Sequence, residues 1–280
     1  MRLVILVRTE LCKMFRQRGT YAGFVLLAVF IGLLVWGVWA EGPPMGDVSH
    51  RFGSDFAVGG KTISGPSMPY FLLEIPPAVD VFLPLLISMI AGGIIASEAQ
   101  RGTLRTLLTR PVHRWAVVVG KLVAVFTHAA AIVLFMGLFS LALGYVVFGR
   151  GDLIVMERGL RIFAESQALG RLGIAYGLTV VTMFSVAALA LFCSTIFEHP
   201  LTASGVTVGF LIVSAALMVI PAFDWLQPYL LTSHFHGFKK VFGSTIDWQI
   251  IGIDLYYVVE YTLLAIAGTL MVFCRKDMTC

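Results

Sequence analysis

Two ionisable residues stand inside long apolar runs of this chain: His128 and Glu260. A charged group in hydrocarbon is costly, so each is by default a candidate for a pathway or a subunit contact. The competing reading is structural: Glu260 protonated or snorkelling beside Tyr256, Tyr257 and Tyr261, and His128 a neutral packed ring. His234-x-His236 offers two metal donors, but neither a nearby cysteine nor a third ligand accompanies them, so an interfacial role is expected and no metal. Gly59-Gly60-Lys61-Thr62 is the nearest approach to a phosphate loop, yet the motif needs glycine at the position held by Asp55. No Ser/His/Asp set, no H-E-x-x-H and no acid–base carboxylate pair is present. The chain therefore reads as having no catalytic residues and as no enzyme.

The densest chemistry lies in a basic stretch, Ser97-Glu98-Ala99-Gln100-Arg101-Gly102-Thr103-Leu104-Arg105-Thr106-Leu107-Leu108-Thr109-Arg110-Pro111-Val112-His113-Arg114-Trp115, with Gly120-Lys121 beyond it. Gly102 is a permissive start, Thr103 a candidate N-cap and Pro111 a stop. Leu104, Leu107 and Leu108 fall on one face at i, i+3, i+4, ringed by Arg101, Arg105 and Arg110. A short amphipathic helix tied to apolar runs on both sides suits docking into a cleft of a soluble partner. The plainer reading is a basic loop that sets topology.

The elements that must hold these residues are set by composition. The chain has 280 residues, 58% of them hydrophobic and 13% charged, with a mean hydropathy of +0.90. Soluble domains average roughly 45–50% apolar and about 25% charged residues. An integral membrane protein follows. Six runs are long enough to cross a bilayer as helices: 20–40, 78–97, 116–149, 172–197, 200–223 and 254–274. Residues 1–19 place Leu3, Leu6, Val7, Leu11, Met14 and Phe15 at near-helical spacing among charges, which predicts a helix lying in the interface.

Lysines and arginines set the orientation. Twelve flank the first span, the second connection and the C-terminus, and eight lie on the opposite side, so both termini are expected in the cytosol. That leaves 41–77, 150–171 and 224–253 outside. Residues 150–171 mix four arginines with apolar positions, predicting an amphipathic surface helix. The aromatics of 224–253 predict a headgroup-level or re-entrant segment, or else a plain loop. Asp80 and Asp254, near outer span ends, are expected to be solvated. Gly92-Gly93 and Gly205-x-x-x-Gly209 permit close helix packing. Without basic stripes interleaved with stacking aromatics, nucleic-acid binding is not expected. Cys12, Cys193, Cys274 and Cys280 read as free thiols.

The stretch after the second span resembles the E-x-x-x-G-T-L-R-x-L-L-x-x-P-V-x-R-W…G-K motif of permease subunits of type-2 ABC transporters, matched by Glu98, Gly102, Thr103, Leu104, Arg105, Leu107, Leu108, Pro111, Val112, Arg114, Trp115, Gly120 and Lys121. Glu10-Leu11 with Lys13, Arg16, Arg18 and Tyr21 is similar to that family's elbow helix. Ser194-x-x-Phe197-x-x-Pro200-Leu201-x-Ala203 resembles its turn between spans four and five, and Phe273-x-Arg275-Lys276-Asp277 its C-terminal end. The resemblance implies an all-α, six-span permease domain over residues 1–280, with an elbow helix at 1–19. It makes 98–115 a cytosolic coupling segment that contacts the ATPase through Glu98, Arg101, Gly102, Thr103, Leu104, Arg105, Leu107, Leu108, Arg110 and Pro111. It also implies two separate ABC ATPase subunits that bind ATP and Mg, a second permease chain, identical or related, and an exporter of a prokaryotic plasma membrane. No cofactor is expected in this chain. An ATP-independent secondary transporter would need broken helices and midplane ion residues, for which one Glu and one His are thin support. A membrane-embedded enzyme would need a catalytic cluster that is missing.

Overall fold

The computed structural model describes residues 2–41, 63–75, 77–103, 113–155, 161–243 and 245–275. Leu104, Arg105, Leu107, Leu108, Arg110 and Pro111 lie outside these residues, as do Gly59 to Lys61 and Cys280. Among the described residues, helix α1 is Arg2–Arg16, α2 Arg18–Glu41, α3 Ser67–Glu74, α4 Leu83–Gln100, α5 Arg114–Phe148, α6 Glu165–Ile196, α7 Pro200–Val219 and α8 Trp248–Arg275. A π-helical turn, Pro77–Phe82, leads into α4. Strands β1 (Leu153–Val155) and β2 (Arg161–Phe163) form an antiparallel pair with Ile154 opposite Ile162. Six of the helices are long and apolar enough to span a bilayer, and the protein is an all-α integral membrane protein in architecture.

Helix α2 shows how such a span is built. Leu27, Ile31, Val35 and Val38 recur every three or four residues and are buried. Val25, Leu26, Val29, Leu33, Trp36 and Trp39 are exposed, as an apolar helix face turned to lipid must be. Phe24 meets Phe135 of α5 edge to face, with centroids 5.3 Å apart.

Lipid tails are as apolar as leucine, so packing between spans depends on close approach rather than on water exclusion. Helix α6 is the central post, burying Ala175, Ala187, Ala188 and Ala190 among larger side chains. Against it and α7, helix α4 is held by small polar groups. The Ser194 hydroxyl accepts the N–H groups of Ile95 and Ala96 at 3.1 and 3.0 Å, and the Ser204 hydroxyl donates to the Ser88 carbonyl at 2.9 Å. Gly92 makes this contact fit: a Cβ there would stand 2.9 Å from the Ser204 backbone nitrogen. Gly93 is looser, while Gly205 and Gly209 meet nothing within 4 Å. Of Gly92, Gly93, Gly205 and Gly209, only Gly92 is required by packing among the described residues.

The spans run past their apolar stretches. Helix α6 starts at Glu165 rather than near 172, and α8 at Trp248 rather than near 254. Charged residues in those added turns are satisfied by a cap of irregular structure. Arg171 donates to the carbonyls of Val241 and Gly243 at 2.7 and 2.6 Å, and its guanidinium sits 4.2 Å from the Phe163 ring centroid. The amphipathic helix expected across 150–171 is not found. Its described residues form the β1–β2 hairpin strands and the first turns of α6, because the apolar residues alternate: Leu153 and Val155 point inward with Ile154 between them.

The same cap takes in much of 224–253. Three 3₁₀ segments, Pro221–Phe223, Gln227–Tyr229 and Leu231–Phe242, replace a loop. The last buries Leu231, Phe235, Phe238 and Phe242 against the bundle. Asp254 is not simply solvated, since His234 Nδ1 lies 3.0 Å and Lys240 Nζ 2.5 Å from its carboxylate. Asp80 lies 3.3 Å from His236 Nε2, and Lys239 pairs with Glu74 at 3.1 Å. Each histidine of the His-x-His pair is thus occupied with a different carboxylate, and no metal-binding group of three or more ligands occurs among the described residues.

Candidate functional site

At the opposite end of the bundle from this cap, helix α1 folds back against the spans. Its inward stripe is Leu6, partly buried, with Glu10 and Met14, both buried, spaced by four. Leu6 rides on Gly120 of α5, where a Cβ would come within 3.3 Å of the Leu6 Cγ. The chain then turns sharply into α2, and the Thr20 hydroxyl donates to the Met14 carbonyl at 2.6 Å, closing the C-terminus of α1.

This packing brings four charged residues from three elements together. Lys121 is fully buried; its ammonium donates to Glu98 Oε2 at 2.7 Å, to the Ile94 carbonyl at 3.1 Å and to Glu10 Oε2 at 3.3 Å. The three donors of an ammonium are thereby all used. Lys13 closes the ring from the open side, 2.8 Å from Glu10 Oε1 and 3.3 Å from Glu98 Oε1. Each carboxylate is shared by two ammonium groups, and the set is neutral.

The electrostatics follow the geometry. Burial alone would raise the pKa of Glu10, but the charge of Lys121 and the hydrogen bond from Lys13 outweigh it and hold the carboxyl below its ordinary value. Burial pushes Lys13 down, yet the hydrogen bond to Glu10 and the charge of Glu98 leave it raised. Glu10 and Lys13 are thereby both held in their charged forms.

The cluster sits at the mouth of the basic stretch. Helix α4 ends at Gln100; Arg101 follows as its C-cap, and Gly102 takes a left-handed φ of +69°. Gly102 therefore terminates α4. The Thr103 hydroxyl donates to the Glu98 carbonyl at 3.3 Å, and the residues it would cap lie outside the described residues. Helix α5 resumes at Arg114, whose Nη1 donates to the Cys274 carbonyl at 3.2 Å, so the end of α8 joins the same face.

Of the residues singled out from the sequence, Glu98, Arg101, Gly102 and Thr103 are thus gathered here. Leu104 through Pro111 lie outside the described residues. His128 is buried in α5 with its ring edge-on to Phe24, centroids 6.1 Å apart, and neither ring nitrogen is hydrogen-bonded. Glu260 is exposed on α8, next to Tyr261, whose hydroxyl donates to the Tyr229 carbonyl. The two are not in contact. The sequence reading missed the joint role of Glu10, Lys13 and Lys121, having taken both lysines as topology markers. A signal was available: each sits at the edge of an apolar run where a neutral residue would also serve.

Beside the cluster lies a cleft of about 660 Å³ between α1, α4 and the start of α7, lined by Lys13, Arg16, Met89, Gly93, Arg101 and Pro200 among others.

A six-span helical bundle with an amphipathic helix folded onto an ionic cluster defines a polytopic membrane protein. Residues 5–242 match the family model described as ABC-2 family transporter protein, and the chain belongs to that family. It is a multi-pass membrane protein of that family. It is also similar to the uncharacterized protein YhcI of Bacillus subtilis (strain 168), with 26% identity over 203 residues, covering 68% of this chain and 63% of that protein. The chain thus spans somewhat less than two thirds of the curated relative it matches.

Proposed function

We propose that this chain is the permease subunit of an ATP-driven exporter, working as a pair of permease chains and driven by separate ABC ATPase subunits that carry ATP and Mg. The observation that carries the coupling is the ring of Glu10, Lys13, Glu98 and Lys121. It fastens the elbow helix α1 to the end of α4 and to the second turn of α5, on either side of segment 101–113. A force applied to that segment would reach three elements as one body, because moving any of them alone separates buried charges. Gly205 and Gly209, where a Cβ would meet nothing within 4 Å among the described residues, support pairing with a second copy or a related chain. Both termini then lie in the cytosol of a prokaryotic inner membrane, as the lysine and arginine distribution favours.

The test is recovery of an ABC ATPase with the tagged full chain from native membranes. Recovery is expected with the natural sequence and is lost in Leu104→Asp/Leu108→Asp at unchanged membrane level. If no ATPase co-purifies, or if the double variant retains it fully, the coupling assignment is wrong.

A further inference from the structure

We propose that the cleft between α1 and α4 is a binding site for one anionic phospholipid. Its mouth and its floor differ in chemistry in the way such a ligand requires. At the mouth, Arg16 and Arg101 are exposed and have no carboxylate within ion-pair distance among the described residues. The two carboxylates that also line it, Glu10 and Glu98, are already shared between Lys13 and Lys121. The uncommitted charge of the mouth is therefore positive, and Gln17 adds an amide donor.

The floor runs from this mouth along the span. Met89, Ile90 and Gly93 of α4 line it. Arg101 and Met89 are twelve residues apart, about 18 Å of helix. The hydrocarbon of one leaflet is only about 15 Å deep. The cleft thus descends from headgroup level well into the acyl region, where a water-soluble acidic peptide has no reason to go. Gly93 lines the groove beside Pro200, where a Cβ would make an ordinary contact at 3.7 Å and a larger side chain would reach into the groove. Val4 and Ile5 are exposed on the same helix as Arg16, an apolar face that suits a membrane surface. A phosphate between the arginines with a chain against Met89 and Gly93 satisfies both parts. The site shares Arg101 with the segment proposed to meet the ATPase, so it is tested on the chain without that partner, and it does not depend on the direction of transport.

The experiment is native mass spectrometry of the full chain in detergent, titrated with phosphatidylglycerol, with phosphatidylcholine of the same chains, or with glycerol 3-phosphate. Each arginine near an anionic lipid is worth about fivefold, so a roughly thirtyfold preference for phosphatidylglycerol is expected. Arg16→Gln/Arg101→Gln should abolish the preference. Arg8→Gln/Arg18→Gln removes the same charge from exposed positions outside the cleft and should leave it intact. Gly93→Leu, which fills the floor, should weaken retention of both lipids. Equal retention of the two lipids would overturn the proposal, as would equal loss in the Arg8/Arg18 variant. So would displacement of phosphatidylglycerol by an equal concentration of glycerol 3-phosphate, which would make the site one for free anions.

Discussion

Lys121 has no exposed surface and contacts two carboxylates and a carbonyl, which makes its removal the sharpest probe of the ionic ring. In Lys121→Met a side chain of similar length fills the space, and the change is confined to charge. Breaking a buried pair by deleting one partner costs about 3–5 kcal/mol. Lys13 still reaches both Glu10 and Glu98, so the lower end, about 3 kcal/mol, is expected here. Glu10→Gln leaves Lys121 with Glu98 at 2.7 Å but takes the charge from its contacts with both Lys121 and the half-exposed Lys13, and about 1.5–3 kcal/mol is expected, mostly from the buried contact.

The two losses should not add. Once Lys121 is gone, neutralising the 2%-exposed Glu10 side chain removes a charge that has become a liability. The double variant should therefore cost about as much as Lys121→Met alone, a coupling of roughly 1.5–3 kcal/mol. The assay is chemical unfolding of the full chain in detergent, read by tryptophan fluorescence, for the four members of the cycle. The same cycle on Glu74 and Lys239, both partly exposed, should give about 1 kcal/mol or less. Additivity within about 0.5 kcal/mol at Glu10 and Lys121 would refute the reasoning, since residues in one buried network cannot be energetically independent.

Two further outcomes follow from the same geometry. Gly92→Ala places a Cβ 2.9 Å from the Ser204 backbone nitrogen and should destabilise by about 1–3 kcal/mol, whereas Gly93→Ala should stay near the natural protein in thermal unfolding. The pKa of Glu10 is lower folded than unfolded, so its contribution is complete above the unfolded value near 4.5 and is lost as pH falls through the folded value; the stability gap between the natural protein and Glu10→Gln, followed by unfolding temperature against pH, should be constant near neutrality and close on acidification.

Spans and charge ring were legible to different degrees for one physical reason: the range over which each is specified. A span is a local property. Thr20 to Ala40 carries no charge, and lipid leaves a helix as its only solution, so composition decides it. Where local pattern was ambiguous, tertiary partners decided. Arg171 looked like the edge of a surface helix because nothing near it in sequence could satisfy it; its partners, the carbonyls of Val241 and Gly243, come some seventy residues later. Asp254 looked solvated until Leu231–Phe242 folded over it with His234 and Lys240. The ionic ring is the extreme case. Lys121 and Glu10 are 111 positions apart, and Lys13 and Glu98 are 85 apart. Sequence shows four charges beside apolar runs, each explicable alone as an interface marker. What distinguishes them is that Leu6 can seat on Gly120, which forces Glu10 beside Lys121. A small residue next to a cation at the start of a span is the nearest thing to a local signature of such a joint, and it is readable only when the helix that covers it is already in view.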